Sequence, residues 1–575
     1  MSRVIPRTAL LATLGLVTAA GATATVLGTP AGATAAGCKV EYQITNQWNN
    51  GFGANVIVTN TGDPVASWTV EWSYANGQQV TQGWNAAITQ SGAAVTAKSL
   101  SYNGSLATGG STSFGLNGSH NGTNAVPAAF KLNGVTCNGA TTPPTTPPTT
   151  PPTTPPPSGG KVDNPYAGAR VYVNPEWSAK AAAEPGGTRV SNQPTAVWLD
   201  RIALVTGTSG KMGLRDHLDA ALAQKGSGEL VVQLVIYDLP GRDCSALASN
   251  GELGPTEIDK YKTQFIDPIA AILADPKYAG LRIVTAVEID SLPNLVTNIS
   301  GRPTATPACD VMKANGNYIK GVGYALNKLG SVPNVYNYVD AGHHGWLGWD
   351  DNFTASAQMF QQAATAEGST LSKVHGFIVN TANFSALKED HFTIDDSVGG
   401  TSVRQSKWVD WNRYTDELSY AQAMRAKVVS LGFDAGVGML IDTSRNGWGG
   451  TARPTGPGAT TSVDSYVNGG RYDRRIHLGN WCNQAGAGLG ERPKAAPAPG
   501  IDAYVWMKPP GESDGASKEI PNNEGKGFDR MCDPTYTGNV RNGNSMSGAL
   551  PDAPLAGQWF SAQFQELMKN AYPAL

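Results

Sequence analysis

The chain has 575 residues with Lys+Arg 42 against Asp+Glu 45, so it is long enough for several domains and almost electrically neutral. Charged residues make up only 15 %, against roughly 25 % in ordinary soluble proteins, while Gly 68, Pro 37 and Trp 14 are abundant. Such a composition offers no basic groove for nucleic acid and no cationic patch for a membrane. Uncharged partners suit it, polysaccharides among them, because sugar hydroxyls meet amides and sugar CH faces meet aromatic rings.

Residues 1–36 carry Arg3 and Arg7, an apolar run at 9–17 and small residues up to Ala36, the order of a secretory signal. A membrane anchor would need ~20 apolar residues, and Thr and Gly interrupt this run. Lipid attachment at Cys38 is opposed by parity, since the six Cys would then leave an odd thiol in an oxidising space. Residues 141–157 are only Thr and Pro, within a linker placed at 140–160. Such a segment buries no core and favours extended polyproline geometry. Two domains are expected, 37–139 and 161–575.

The first domain holds six charged residues, Lys39, Glu41, Asp63, Glu71, Lys98 and Lys131, and is neutral overall. Alternating runs at 54–59, 67–74 and 112–116, separated by Gly and Asn turns, predict an all-β antiparallel sandwich or barrel. Cys38 and Cys137 stand at its ends, and a disulfide between them would contribute roughly 2–4 kcal/mol. Trp68, Trp72 and Tyr74 share one strand face with Val70 and read as core. Trp48, Trp84 and Tyr102 sit instead in turn-rich polar surroundings. The stretches CKVEYQITNQWNNGFGANV, GQQVTQGWNAAITQSG, SYNGSLATGG and FGLNGSHNGTNAVPAAFKLNGVTC resemble a family 2 carbohydrate-binding module of the cellulose-binding type. The resemblance implies a flat three-ring face formed by Trp48, Trp84 and Tyr102, with Tyr102 where the family usually has Trp.

In the second domain, short apolar runs at 171–173, 230–236, 282–287, 335–339, 375–379, 436–441 and 503–507 read as buried parallel strands. Helical patterns at 212–224, 257–273, 355–367 and 416–431 alternate with them, predicting an α/β barrel. Behind the strands come Asp238, Asp290, Asp340, Asn380, Asp442 and Lys508, at the rim where parallel barrels gather their chemistry. Any one of these could be a helix cap. Four carboxylates at one rim point further, because crowded carboxylates raise one another's pKa and keep one protonated near neutral pH.

Other chemistries find poor support. The seven His show no HExxH spacing. The SxxK match at Ser385–Lys388 lacks its companion motifs, and Gly486, Gly488 and Gly490 lack the GxGxxG spacing. No cofactor and no metal are expected, and six Cys in a secreted chain read as three disulfides.

VIYDLPGRDCSALASNGEL, VTAVEIDSLPNLVTN, YVDAGHHGWLGWDDN, GNWCNQAGAG and YVWMKPPGESDG resemble glycoside hydrolase family 6, the cellulases and cellobiohydrolases, over nearly all of the second domain. The resemblance implies a distorted seven-stranded α/β barrel, a tunnel or cleft, and inverting hydrolysis of β-1,4-glucan. By position, Asp290 matches the general acid and Asp243 the neighbour that keeps it protonated. An inverting enzyme needs one protonated carboxyl, and a nearby carboxylate raises its pKa. Tyr237 and Ser249 match residues beside the cleavage point. Asp514 is the family's candidate base, with a water relay through Asp243 the alternative. Lys508 and Glu512 match substrate contacts, and Trp177, Trp346, Trp349 and Trp481 match sugar-stacking positions. Ile289 replaces the Pro of the family's EPD motif, and a backbone adjustment is expected there.

In the family, two long loops, each near a disulfide, roof the site of exo-acting members. Long connections at 293–315 and 484–500 and the pairs Cys244–Cys309 and Cys482–Cys532 suit such a roof. A secreted, monomeric enzyme releasing cellobiose from cellulose and cello-oligosaccharides is therefore expected, from non-reducing ends as in the family's exo members. An endoglucanase on the same fold is the near alternative. A non-catalytic glycan-binding adhesin is the distant one, and the presence of Asp290, Asp243 and Asp514 opposes it.

Overall fold

The computed structural model describes residues 37–48, 51–100, 103–137 and 161–575, without the side chains at 45, 46 and 48. The expected secretion signal, the Pro/Thr linker and Tyr102 lie outside the described residues. The chain divides into two compact units, Met1–Pro155 and Pro156–Leu575.

In the first unit, strands Cys38–Trp48, Gly51–Asn60, Ser111–Ser119 and Gln79–Trp84 form one antiparallel sheet. Ala87–Ser91, Ala94–Lys98, Thr69–Ser73, Phe130–Leu132 and Val135–Thr136 form a second. One core joins them, in which Trp68, Trp72 and Tyr74 are buried with Phe52 and Phe114, and Trp68 stacks on Phe114 at 5.5 Å. Cys38 and Cys137 are bonded, tying the first strand to the end of the unit.

The second unit is built on a nine-stranded sheet. Ala169–Val171, Glu229–Ile236, Arg282–Val287, Val335–Asp340, Gly376–Val379, Gly438–Asp442 and Ile501–Val505 run parallel in that order. These are the seven strands that the apolar runs predict. Two more are added: Val197–Leu199 pairs parallel with the end of Glu229–Ile236, and Lys494–Ala498 pairs antiparallel with Ile501–Val505. The last predicted strand ends two residues early. Trp506 leaves the ladder, and its carbonyl accepts from Ala196 N at 3.2 Å, bridging the first and last parts of the curled sheet.

Period-two alternation sorts each strand into two cores. Val232, Leu234, Ile236, Ile283, Val339, Phe377, Met439 and Ile441 face the helices. Val231, Val235, Val284, Ala286, Tyr338, Ile378, Leu440, Ala503 and Val505 fill the barrel interior. Helices Leu214–Lys225, Asp350–Ala364 and Glu417–Ser430 lie near their predicted positions. The helix expected over 257–273 contains a π-type turn at Tyr261–Ile266 before Asp267–Leu273, where Pro268 has no N–H to close an α-turn.

Candidate active site

Strand direction puts the residues that follow each strand at one rim, and a cavity of about 980 Å³ opens there. Tyr237, Asp243, Ser249, Asp290, Trp346, Trp349, Trp481, Lys508, Glu512 and Asp514 all line it. Motifs spread over almost three hundred residues thus converge on one space.

Asp290 follows the strand Arg282–Val287 with φ 54°, and Glu288, on the other side of Ile289, holds φ 51°. Left-handed backbone at two non-glycine residues is strained, and surrounding contacts must hold it. The Asp290 amide donates to Asp340 Oδ2 at 3.1 Å, and its carbonyl accepts from Asn294 Nδ2. Burial, and then the carboxylates of Asp243, Asp340 and Asp514, push the Asp290 carboxyl well above the usual carboxylate range. Asp340 itself is buried and pushed up to about 7, chiefly by desolvation. Asp340 stood among the rim carboxylates in the sequence, but its hold on the Asp290 backbone had no local signal.

Asp243, also at positive φ (56°), accepts from the Tyr237 hydroxyl at 3.3 Å and from Ser249 Oγ. Burial raises its pKa to about 6, against the lowering effect of Ser249, Arg242 and Tyr237. Arg242 fixes the loop carrying both residues. Its guanidinium donates to the carbonyls of Tyr237, Asp200 (2.8 Å), Ser249 (2.9 Å) and Asn250 (3.0 Å) and lies 4.1 Å from the centre of the Tyr237 ring.

Asp514 is paired with buried Arg445, whose Nη1 stands 2.8 Å from each carboxylate oxygen, and it also accepts from Asn483 N at 2.8 Å. Lys508 Nζ lies 3.8 Å from Asp514 and donates to Ser513 O at 3.2 Å. Burial raises the Glu512 pKa, against the pull of Lys508, Lys180 and Lys211. Arg445 and Asn483 are site residues that sequence reasoning missed, since nothing in their local pattern separates them from structural polar groups.

Three indoles stand in the cavity wall with their N–H groups or neighbours fixed. Trp346 Nε1 donates to Thr297 Oγ1 at 2.9 Å, Trp349 Nε1 donates to Asp410 O at 2.7 Å, and Trp481 adjoins the disulfide-bonded Cys482. Trp177 requires a correction. It is 1 % exposed and packed edge-on against Trp506 and Phe564, with Nε1 donating to Pro510 O at 2.9 Å. A ring so enclosed has no face for a sugar and instead props the loop that carries Glu512. Trp198 takes the place in the wall, with Nε1 bonded to Met507 O at 2.9 Å and the Lys508 ammonium 4.9 Å from its ring. Strand alternation could have found it, because Val197 and Leu199 face the helices and so send Trp198 inward.

Some of the other rim residues are architectural. Asp442 accepts from the amides of Ala382, Ser444 and Lys508, and Asn380 bonds Asp442 O and Ser385. Asp238 is fully buried, and neither carboxyl oxygen has a hydrogen-bond partner. Arg242 lies 3.8 Å away, already committed to four carbonyls. We take Asp238 as the neutral acid, in line with burial pushing its pKa up to about 9.

Cys244–Cys309 and Cys482–Cys532 are both formed. Of the two expected roof segments, 293–315 lines the cavity but 484–500 does not: its strand Lys494–Ala498 pairs at the sheet edge, and Ala487 and Leu489 are buried in a core. Arg541, beyond Cys532, instead donates to Ser245 O at 2.7 Å and to Thr304 O at 3.0 Å. All three residues line the cavity. The guanidinium thus joins segments 296 and 237 residues apart.

In the first unit Trp84 is 45 % exposed at the end of an edge strand. It lies opposite Gly115, where a Cβ would come within 2.3 Å of the indole, so only glycine lets the ring rest flat on the sheet. Trp48 ends the first strand but its side chain, like Tyr102, lies outside the described residues.

An α/β barrel with paired carboxylates, one of raised proton affinity, between walls of indoles has the fold and lining of a glycoside hydrolase. The family model of the glycosyl hydrolases family 6 matches residues 162–571, and the chain belongs to that family. A cellulose binding domain matches residues 38–137. Exoglucanase A of Cellulomonas fimi is 51 % identical over 436 residues, 72 % of this chain and 49 % of that protein, so the chain spans about half the length of this relative. Exoglucanase 3 of Agaricus bisporus is 36 % identical over 72 % of this chain and 80 % of its own. Among solved structures, the catalytic domain of Cellulomonas fimi Cel6B has TM-score 0.69 and 49 % identity, covering 72 % of this chain and 97 % of that one. Cellobiohydrolase II (Cel6A) from Humicola insolens, in complex with glucose and cellotetraose, has TM-score 0.56 and 30 % identity, covering 72 % and 100 %.

Proposed function

We propose that the chain is a cellobiohydrolase, which hydrolyses β-1,4-glucan in the cavity with inversion and releases cellobiose from a chain end, the non-reducing one. The observation that carries the reading is Asp290 at the cavity wall, its proton held by burial and by three neighbouring carboxylates. A carboxyl still protonated near neutral pH gives its proton to the leaving oxygen. Water attacks the opposite face of the sugar and loses its proton either to Asp514 or, through Ser249-held water, to Asp243. Trp198, Trp346, Trp349 and Trp481 stack on successive sugar rings, and Lys508 and Glu512 bond hydroxyls.

End-wise action is supported by the Arg541 bridge between wall segments of the cavity and by relatives that bear exoglucanase names. The cellulose binding domain match supports anchoring to insoluble cellulose through Trp48, Trp84 and Tyr102. We read the enzyme as a secreted monomer acting without cofactor. No helix among the described residues is long and apolar enough to cross a membrane.

Product stereochemistry tests the reading. NMR of fresh product gives the α-anomer if water attacks directly, and the acid and base carboxyls then stand roughly 6.5–9.5 Å apart. An initial β-anomer overturns it. Asp290→Ala should lose several orders of magnitude on cellulose and far less on a substrate with an activated leaving group. Equal loss on both would remove Asp290 from the acid's role.

A further inference from the structure

Just outside the cavity, Trp411 is 55 % exposed, more than any other large apolar side chain among the described residues. It is also strained. Asp410 and Trp411 hold φ 46° and 65°, two consecutive non-glycine residues in the left-handed region, one of them bulky. Such a conformation persists only where neighbours impose it, and they do. Trp411 N donates to Arg404 O at 2.6 Å, Arg404 Nη2 returns to Trp411 O at 2.6 Å, and Asp410 N donates to Ser406 O at 2.8 Å. Buried Asn412 closes the turn by donating to His344 O at 2.9 Å and accepting from Tyr414 N at 2.9 Å.

This turn is joined to the sugar wall. The carbonyl of Asp410 accepts the Trp349 indole N–H at 2.7 Å, and Asp410 lines the cavity. Trp411 is therefore the residue next to the one on which the Trp349 ring hangs. The Arg404 guanidinium lies 5.7 Å from the Trp411 ring centre and backs it, while more than half of the residue stays open to solvent. The nearby charges of Arg413 and Asp350 satisfy each other in a bidentate pair at 2.8–3.1 Å. What remains for a ligand is an indole face beside polar groups, which fits an uncharged ring with CH faces and hydroxyls.

We propose that Trp411 is an outer sugar-stacking station beyond Trp349, where a β-1,4-glucan chain rests outside the cavity while its end is inside. The inference rests on the glucan-hydrolase reading, because its occupant is the same chain. An indole held in place against strain and backed by a cation is already organised for the sugar, so little side-chain freedom is lost on stacking. The fixed turn keeps it at one distance from Trp349.

The test compares the full chain with Trp411→Ala and Trp411→Tyr on cello-oligosaccharides from the trisaccharide to the longest soluble length, and on swollen amorphous cellulose. On the trisaccharide, kcat/KM of Trp411→Ala should stay within about twofold of wild type, since so short a substrate does not reach the station. On amorphous cellulose the rate should fall about 5- to 30-fold, as for loss of one stacking ring, and Trp411→Tyr should recover most of it. Equal loss at every substrate length would assign Trp411 a structural role, and no loss at any length would leave the station without a function; either overturns the proposal. If wild type itself released no cellobiose, the glucan-hydrolase reading would fail first. Adsorption of a protein to the patch in place of glucan, with amorphous-cellulose rates unchanged by Trp411→Ala, also overturns it.

Discussion

The Asp290 amide donates to the side chain of Asp340 at 3.1 Å, so the carboxylate that ends one strand orients the acid that follows the strand beside it. The two residues are 50 apart in sequence. Without this acceptor the positive φ of Asp290 loses one of its two anchors. Asp340→Ala should therefore reduce kcat on soluble cello-oligosaccharides by about 10²-fold, the effect of a small misplacement of a catalytic group. Asp340→Asn, which keeps an acceptor oxygen, should lose much less. Equal damage from both variants would show that charge, not position, is what Asp340 supplies.

Asp243 raises the proton affinity of Asp290 after burial has done so. The general acid works while protonated, so it governs the fall of activity at high pH. Asp243→Asn removes a like charge, lowers the Asp290 pKa and should move that alkaline limb to lower pH, besides slowing the reaction. A pH profile of kcat/KM checks this, and an unmoved alkaline limb would break the coupling. Below about pH 6 the native Asp243 is itself protonated and the difference should shrink.

Arg541 ties the wall segments of Ser245 and Thr304, the latter in the expected roof 293–315, to its own through two hydrogen bonds to carbonyls. Arg541→Ala frees those segments without touching Asp290. The variant should lower the viscosity of carboxymethyl cellulose several-fold faster than wild type, because an opened roof admits internal positions of the chain, while total sugar release stays similar. Unchanged viscosity loss would mean that the roof holds without the bridge.

Several buried carboxyls carry raised pKa values: Asp243 about 6, Asp340 and Glu288 about 7, Glu389 about 8 and Asp238 about 9. Each keeps its proton in the folded state after the unfolded chain has released it. Their stability contribution is complete below the unfolded carboxyl value near pH 4 and is lost as pH rises through the folded values. Tm should therefore fall from about pH 5 to pH 9. Asp238→Asn removes the group with the highest value and should flatten the fall between pH 7 and 9. Calorimetry across this range decides, and a Tm that rises with pH would contradict the neutral state of these acids.

In the small unit, Trp84→Ala should weaken adsorption to insoluble cellulose by about 1–3 kcal/mol when measured in an Asp290→Ala background that leaves the substrate intact. Gly115→Val should also weaken it, by lifting the ring from the sheet. Binding should tolerate salt. Adsorption that collapsed with ionic strength would show that charge, not stacking, holds the ligand.

The strand rhythm, the rim residues and the five motifs were legible in sequence because they are local: alternation sets a side chain's face, and the residues after a strand stand at its end. Trp198 was legible in the same way, one residue inside a three-residue strand. Trp177 was not, since a helical pattern shows which residues share a face but not what covers it, and only packing against Trp506 and Phe564 decided that it is core. The high proton affinity of Asp290 likewise belongs to the tertiary structure, because burial and three carboxylates from distant segments set it. So does the joining of the cavity-wall segments: the Arg541 hydrogen bonds span more than two hundred residues, and such bonds depend on distances that only the folded chain defines.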